Sequence, residues 1–567
     1  MSVSLPPYPA LPDLAWADLE SIYRDLERRQ LDAATVDSFL HDWNAVYEAG
    51  REAELRLRIA TTQNTVDTAA ADRYRAFVTE VTPKVQEAEE RVQRLFLASG
   101  VAPADFEEPR RKMRGEAALF REENVQLLVQ EKQLQQEYFR ITGMQTVEWE
   151  GNAEPLPRLY AMYQDPEREV RERAWHLVTQ RQLADRDAID DVWRRSLDMR
   201  LQLTANCDLP DYRTYRWRQL GRFDYTPDDA RRFHEAIEAV VVPALLRGAE
   251  RRRQQLGVQA LRPWDLQVDP LGGAPLHPFA DAAELEEHGS AIFHRVDPTL
   301  GDYFDSMRRD GLLDLPSRVH KAPGGYNAVL SATRKPFIFM NATGTPLNVT
   351  TLTHESGHAF HVFETSHLPY LRQRVPGNEF TEVASTAMEY LSAPYLAESE
   401  GGFYSAKDAA RARLAHLEMA FDLWTAVAAT DAFQHWVYEN PGEAGDRVGL
   451  GETWANVQRR FRPHVDWTGY EDALHTGWQN MSLVFVAPFY MIDYAMALLG
   501  AVQIWCNART DQAEAVRRYR FGLSLGATVP LPDLYRAAGA SFAFDGDTLQ
   551  DAVTLIETTI DELREMA

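Results

Sequence analysis

Cysteine is almost missing: Cys207 and Cys506 are the only two in 567 residues. Two thiols so far apart offer no disulfide framework, so the fold has to be held by buried apolar surface. Basic residues are also in deficit, 60 Lys and Arg against 85 Asp and Glu, which leaves a formal net charge of −25. A nucleic-acid partner demands a basic footprint, and none is expected here. The same charge favours solubility and the attraction of basic peptides. The first twenty residues lack the basic-then-apolar pattern of a secretory signal, being proline-rich and then acidic; a cytoplasmic protein is expected. Internal repeats and low-complexity tracts are absent as well. One apolar run, 483–505, is long enough to imitate a membrane span. Asp493 sits in its middle with Pro488 and two tyrosines close by, so it reads as a buried helix facing the functional site, and no membrane partner is expected.

What is present is helix. With 45% hydrophobic residues the chain can bury large cores. Stretches 72–99, 115–142, 185–204, 228–256 and 406–437 are long, charged and periodic, as helices require. Glycine and proline gather at 262–278 and mark loops. Phe337-Ile338-Phe339, a short apolar run between Pro336 and Asn341, suits a β-strand whose exposed edge could take up an extended peptide.

The most informative segment is His354-Glu355-Ser356-Gly357-His358. Residues four apart share a helix face, so the two imidazoles can grip one metal ion. Zn²⁺ held there would acidify a water molecule, and Glu355 is placed to take its proton as it attacks a carbonyl. Asn348 and Thr353 are candidate helix caps upstream, and Leu352, Ala359, Val362 and Phe363 supply an apolar face. Gly357 costs about 1 kcal/mol relative to Ala inside a helix, which points to another backbone or a substrate passing close. A zinc hydrolase, most simply a peptidase, is the expected chemistry.

A catalytic zinc takes a third protein ligand. His361 and Glu364 stand where a metzincin needs Gly and His, so that class is excluded. His361 is a candidate ligand, a substrate contact or a core histidine. The carboxylates available are Glu364, Glu379, Glu382 and Glu389. Residues 378–390 form a second helix in which Glu382, Ser385 and Glu389 share a stripe beside an apolar face. Burying two carboxylates there calls for a cationic partner. Glu382 is therefore read as the third ligand and Glu389 as the group that orients a ligand histidine.

These residues resemble a known family. His354 to His361, then Glu382-Val-Ala-Ser385 and Glu389, are similar to the oligoendopeptidase F and thimet oligopeptidase family of zinc metallopeptidases. Its oligoendopeptidase F branch is matched by Lys321-Ala-Pro-Gly-Gly-Tyr326, by 336–341, 431–441 and 488–494, and by 209–215 with 221–225. The similarity runs from about residue 120 to 510. It implies a mainly α fold: a two-lobed helical shell around a deep channel, with gluzincin-type zinc helices and a small β-sheet beside the site. Residues 1–200 would form the N-terminal lobe and 201–567 the zinc-bearing lobe, with the glycine-rich loop and edge strand at 321–341. It also implies internal cleavage of short peptides, zinc on His354, His358 and Glu382, and Glu355 as the base. Gly324, Gly325 and Tyr326 would touch the substrate backbone, and 336–341 would be the strand along which the peptide lies.

One departure stands out. Relatives place a histidine near Leu483 or Val484 and a tyrosine at Met491, groups that would hydrogen-bond the oxyanion. Tyr490 and Tyr494 remain, four apart and so on one helix face, and are the expected donors, with His475 nearby in sequence. The alternatives are a zinc carboxypeptidase or dipeptidase in a similar shell, or a peptide-binding protein with impaired catalysis. The oligomeric state is not legible.

Overall fold

The structure, a computed structural model, describes residues 8–567, and it is mainly helical. Three apolar clusters form. One is built by residues between Leu11 and Met113, a small one surrounds Trp175 and Trp264, and the large one reaches from Ile59 to Leu563. Among the described residues, no helix is long and apolar enough to cross a membrane.

The helices that build the site are, in chain order, α1 (Val36–Gln63), α2 (Glu122–Gly143), α3 (Arg186–Asn206), α4 (Tyr212–Gln219), α5 (Pro346–Thr365), α6 (Asn378–Ser392), α7 (Ala406–Glu439), α8 (Ser482–Val486) and α9 (Ile492–Thr510). Residue 200, the expected lobe boundary, lies inside α3. The expected helices at 185–204 and 406–437 are α3 and α7. Those at 72–99 and 115–142 are each two helices: Thr68–Glu80 with Thr82–Ser99, and Glu107–Leu119 with α2. Pro83 sits in the first turn of Thr82–Ser99, where its missing N–H costs nothing. Phe120 and Arg121 are extended and separate the other pair. Over 228–256 the helical path holds a single π turn at Ile237–Val241, just before Pro243.

There are two sheets. β1 (Thr146–Trp149) and β2 (Asn152–Pro155) form a hairpin. β3 (Leu313–Pro316), β4 (Tyr326–Leu330) and β5 (Lys335–Ala342) form a sheet in the order β3-β5-β4. β5 pairs in parallel with β3 and antiparallel with β4, with Tyr326 opposite Phe339. This corrects the expectation for 336–341. That strand is the middle one, with five consecutive buried residues, and a run buried on both faces marks an interior strand. The edge beside the site belongs to β4.

The apolar run 483–505 is also corrected. It is not one helix: α8 ends at Val486 and α9 starts at Ile492. Pro488 cannot donate to a helical ladder, and Phe489 has φ 62°, a left-handed conformation that ends any helix. Tyr490 therefore precedes α9 while Tyr494 lies in its first turn. The two do not share a helix face, yet their rings meet edge to face with centroids 5.4 Å apart.

Candidate metal centre

Helix α5 opens on a capping box: Thr345 is its N-cap, and the Asn348 side chain accepts from the Thr345 N–H at 3.1 Å. Asn348 thus serves in the cap from the third helical position, while Thr353 is interior. The helix carries His354, Glu355 and His358 across to α6. A Cβ on Gly357 would lie 2.4 Å from the Ala384 carbonyl oxygen and 2.6 Å from the Ser385 Cα. The glycine is where the two backbones cross, and that closeness brings Glu382 under both histidines.

Glu382 Oε2 lies 3.5 Å from His354 Nε2 and 3.7 Å from His358 Nε2. Among the described residues these three form the one cluster of histidine, cysteine and acidic side chains able to hold a metal, with ligand atoms all within 4.8 Å of one another. Two imidazole nitrogens and a carboxylate oxygen are a donor set that zinc accepts. Ser385 Oγ donates to Glu382 Oε2 at 3.1 Å and keeps the carboxylate in place. The other carboxylates once open as ligands are engaged elsewhere. Glu364 accepts from Arg520 at 2.7 Å, and Glu379 accepts from the Tyr225 hydroxyl at 2.7 Å.

Glu389 holds His354 from behind, with Oε1 2.7 Å from Nδ1. Its other oxygen is 2.7 Å from His416 Nε2 on α7. His416 was not legible as part of the site: it lies on a different helix and in no recognisable spacing with the motif.

The electrostatics divide these groups. Burial disfavours charge on His354, but the hydrogen bonds with Glu382 and Glu389 outweigh it and push the group up to about 10. Burial would also raise Glu389, yet His354 and His416 hold it down at about 2. Glu382 is likewise held below the usual range by the two histidines, against its burial. This corner of the fold attracts positive charge. His358 is pushed down to about 4, chiefly by burial, and so is neutral and able to ligate. For Glu355 burial outweighs the nearby His354 charge and lifts it to about 7.

A cavity of about 380 Å³ opens over the cluster, lined by His354, Glu355, His358 and Glu382, by Gly325 to Asn327 and Val329, and by His361 and Tyr494. Gly324 takes φ 95°, and the Asn341 side chain donates to the carbonyls of Ala322 at 2.8 Å and Gly324 at 3.0 Å, fixing the loop that feeds β4. Tyr326 stacks on Phe339 and its hydroxyl is 2.7 Å from Thr62 Oγ1 of α1. His361 is buried against Phe380, its Nε2 has no hydrogen-bond partner, and burial pushes it down to about 3. It lines the cavity but is not in the three-residue cluster. His475 packs against Gly451, away from the cavity lining.

The model of peptidase family M3 matches residues 161–553. The chain belongs to peptidase family M3. An oligoendopeptidase F homologue of Borreliella burgdorferi is 24% identical to this M3 chain over 337 residues, 57% of this chain; the chain spans about half of that relative, 54% of its length. The fold is similar to that of PZ peptidase A solved with an inhibitor, with a TM-score of 0.86 and 25% identity over 100% of this chain and 99% of the other. It is similar also to an X-ray structure assigned to oligoendopeptidase F, with a TM-score of 0.85, 26% identity and 97% of each chain covered. In this M3 chain Leu483 lies on α8, and Met491 packs against the large core. Burial holds both Tyr490 and Tyr494 above the usual range, with the Glu382 charge adding to it, so both hydroxyls stay protonated donors.

Proposed function

We propose that this M3 peptidase is a zinc-dependent endo-oligopeptidase that hydrolyses short peptides in the cytoplasm, within a channel between an N-terminal lobe and the zinc-bearing lobe. The observation that carries the proposal is the convergence of His354, His358 and Glu382 beneath one cavity, with Glu355 lining the same cavity and raised by its burial. When bound by these three residues, zinc would acidify water and polarise the scissile carbonyl.

The rest of the chemistry falls to the chain. Glu355, poised near neutrality, accepts a proton from the attacking water and delivers it to the leaving amine. Tyr494, with Tyr490 against it, donates to the developing oxyanion. The β4 edge behind Gly324, Gly325 and Tyr326 pairs with the peptide backbone, and His361 contributes to the wall that the substrate side chains meet. Glu389, tied to His416, keeps the His354 ring turned toward its partners.

The test is mass spectrometry of a mixed peptide library with blocked and free ends, incubated with and without chelator. Internal cuts in blocked peptides, lost with chelator and restored by zinc, are expected. Release of only one or two residues from a free end would select a carboxypeptidase or dipeptidase instead. Tight peptide binding by zinc-loaded protein without any cleavage would select a binding protein.

A further inference from the structure

The segment joining α8 to α9 is a strained piece of backbone at the edge of the site. Phe489 is fully buried at φ 62°, a conformation that a bulky residue adopts only where its surroundings over-determine it. Those surroundings are three arginines and two glutamines. Arg200 on α3 donates to the carbonyls of Val484, at 3.2 Å, and Phe485. Gln135 on α2 donates to the Val486 carbonyl at 3.2 Å. Arg216 on α4 donates to the Pro488 carbonyl at 3.1 Å. Arg222 donates to the Phe489 carbonyl at 2.6 Å and to Asp493 Oδ1 at 2.5 Å. Gln434 on α7 accepts from the Phe489 N–H at 2.8 Å.

Five consecutive-but-one carbonyls that no helix can satisfy are thus met by side chains from elements far away in sequence, a full accounting for a buried turn. Arg222 does more. Its Nε is 3.3 Å from Glu379 Oε1, one helical turn before Glu382, and Asp493 directly precedes Tyr494. One guanidinium therefore ties the helix that carries the carboxylate of the metal cluster to the helix that carries the tyrosine.

We infer that Arg200, Arg216 and Arg222 form a clamp of positioning residues that fixes the 484–493 turn so that the tyrosine hydroxyls face the metal cluster. This rests on the tyrosine role proposed above. Packing of α8 or α9 alone does not set the turn, because the residues that dictate its path belong to α2, α3, α4, the loop after α4 and α7.

Arg222 and Arg200 are fully buried, so the clamp is tested at the partly exposed Arg216. Arg216→Ala is expected to lower kcat and kcat/KM together by about tenfold or more, with KM, bound zinc and melting temperature near the parental values. Arg216→Lys, which keeps one donor for the Pro488 carbonyl, should recover most of the loss. In a Tyr490→Phe, Tyr494→Phe background the cost of Arg216→Ala should shrink to about twofold or less, the non-additivity of residues acting through one another. An equal loss in both backgrounds, or parental kinetics for Arg216→Ala, would overturn the clamp. Parental kinetics for the double Phe variant is a different result, since it removes the tyrosine role itself and leaves the clamp with nothing to position.

Discussion

Three glutamates lie around His354 and meet different fates because their surroundings differ. Glu382 and Glu389 each face histidine and stay ionised, whereas burial leaves Glu355 near neutrality. A base needs that balance: it must accept a proton readily and release it again. Glu355→Gln should therefore keep fold and zinc while turnover falls by about 10²–10⁴; steady-state kinetics with metal analysis on the same sample checks both halves, and near-parental turnover would remove Glu355 as the base. His416 offers a second test. Its loss leaves a Glu389 oxygen buried without its partner, and His416→Gln is expected to weaken zinc affinity by about 10–100-fold, measured by competition with a chelator. With Tyr494 as the proposed oxyanion donor, Tyr494→Phe should lower kcat and kcat/KM by about 10²–10³; unchanged kinetics would assign the donation to Tyr490 or to the metal. That His354, Glu355 and His358 fall together was legible because their spacing lies within one helix, and Glu382 was singled out by its stripe on a second. His416 and the arginines were not, since they meet the site only through the tertiary fold.

Among the elements, the crossing of α5 and α6 decides whether there is a site. Intrinsic propensity says that Gly357→Ala should stabilise α5 by about 1 kcal/mol. The added Cβ would instead press on the backbone of α6 at 2.4 Å, where no side chain can swing away. Overpacking of this kind costs about 1–3 kcal/mol and outweighs the helical gain. Net destabilisation is expected, together with weaker zinc binding as Glu382 is pushed from the histidines. A denaturant melt reads the first and chelator competition the second; a stabilised variant with parental zinc affinity would mean that the helices do not touch at Gly357. The glycine's cost was itself the legible signal, and it fixed a close approach without saying by what. The interrupted run 483–505 shows the opposite case. The run reads as one helix despite Pro488, and the left-handed Phe489 carries no signature of its own, because it is imposed by Arg216, Arg222 and Gln434 from outside. The position of β5 was likewise set by partners: its apolar run announced a strand, and only β3 and β4 on either side make it the middle one.

At the scale of the molecule, the helices that carry the metal cluster pack into the large apolar core, while residues between Leu11 and Met113 build a core of their own. The two meet along α1, whose Thr62 bonds the Tyr326 hydroxyl and whose Glu52 accepts from the Thr333 N–H at 2.8 Å. A ligand that binds only the folded state stabilises it by mass action, about 4 kcal/mol at a thousandfold excess over Kd. Zinc held by His354, His358 and Glu382, as proposed, would join α5 to α6, so this gain should fall on the unit that contains them. Hydrogen exchange with and without zinc is the measurement: protection is expected to rise across α5, α6 and the facing part of α7, and to stay the same over residues 16–99. The rise should vanish in a His354→Ala, His358→Ala double variant, which lacks both histidine ligands but keeps Glu382 and Glu389. Zinc-dependent protection that persists in that variant would place the metal elsewhere. Protection rising equally over residues 16–99 would show that both cores open as one cooperative unit, with α1 coupling the glycine-rich loop rigidly to the cluster.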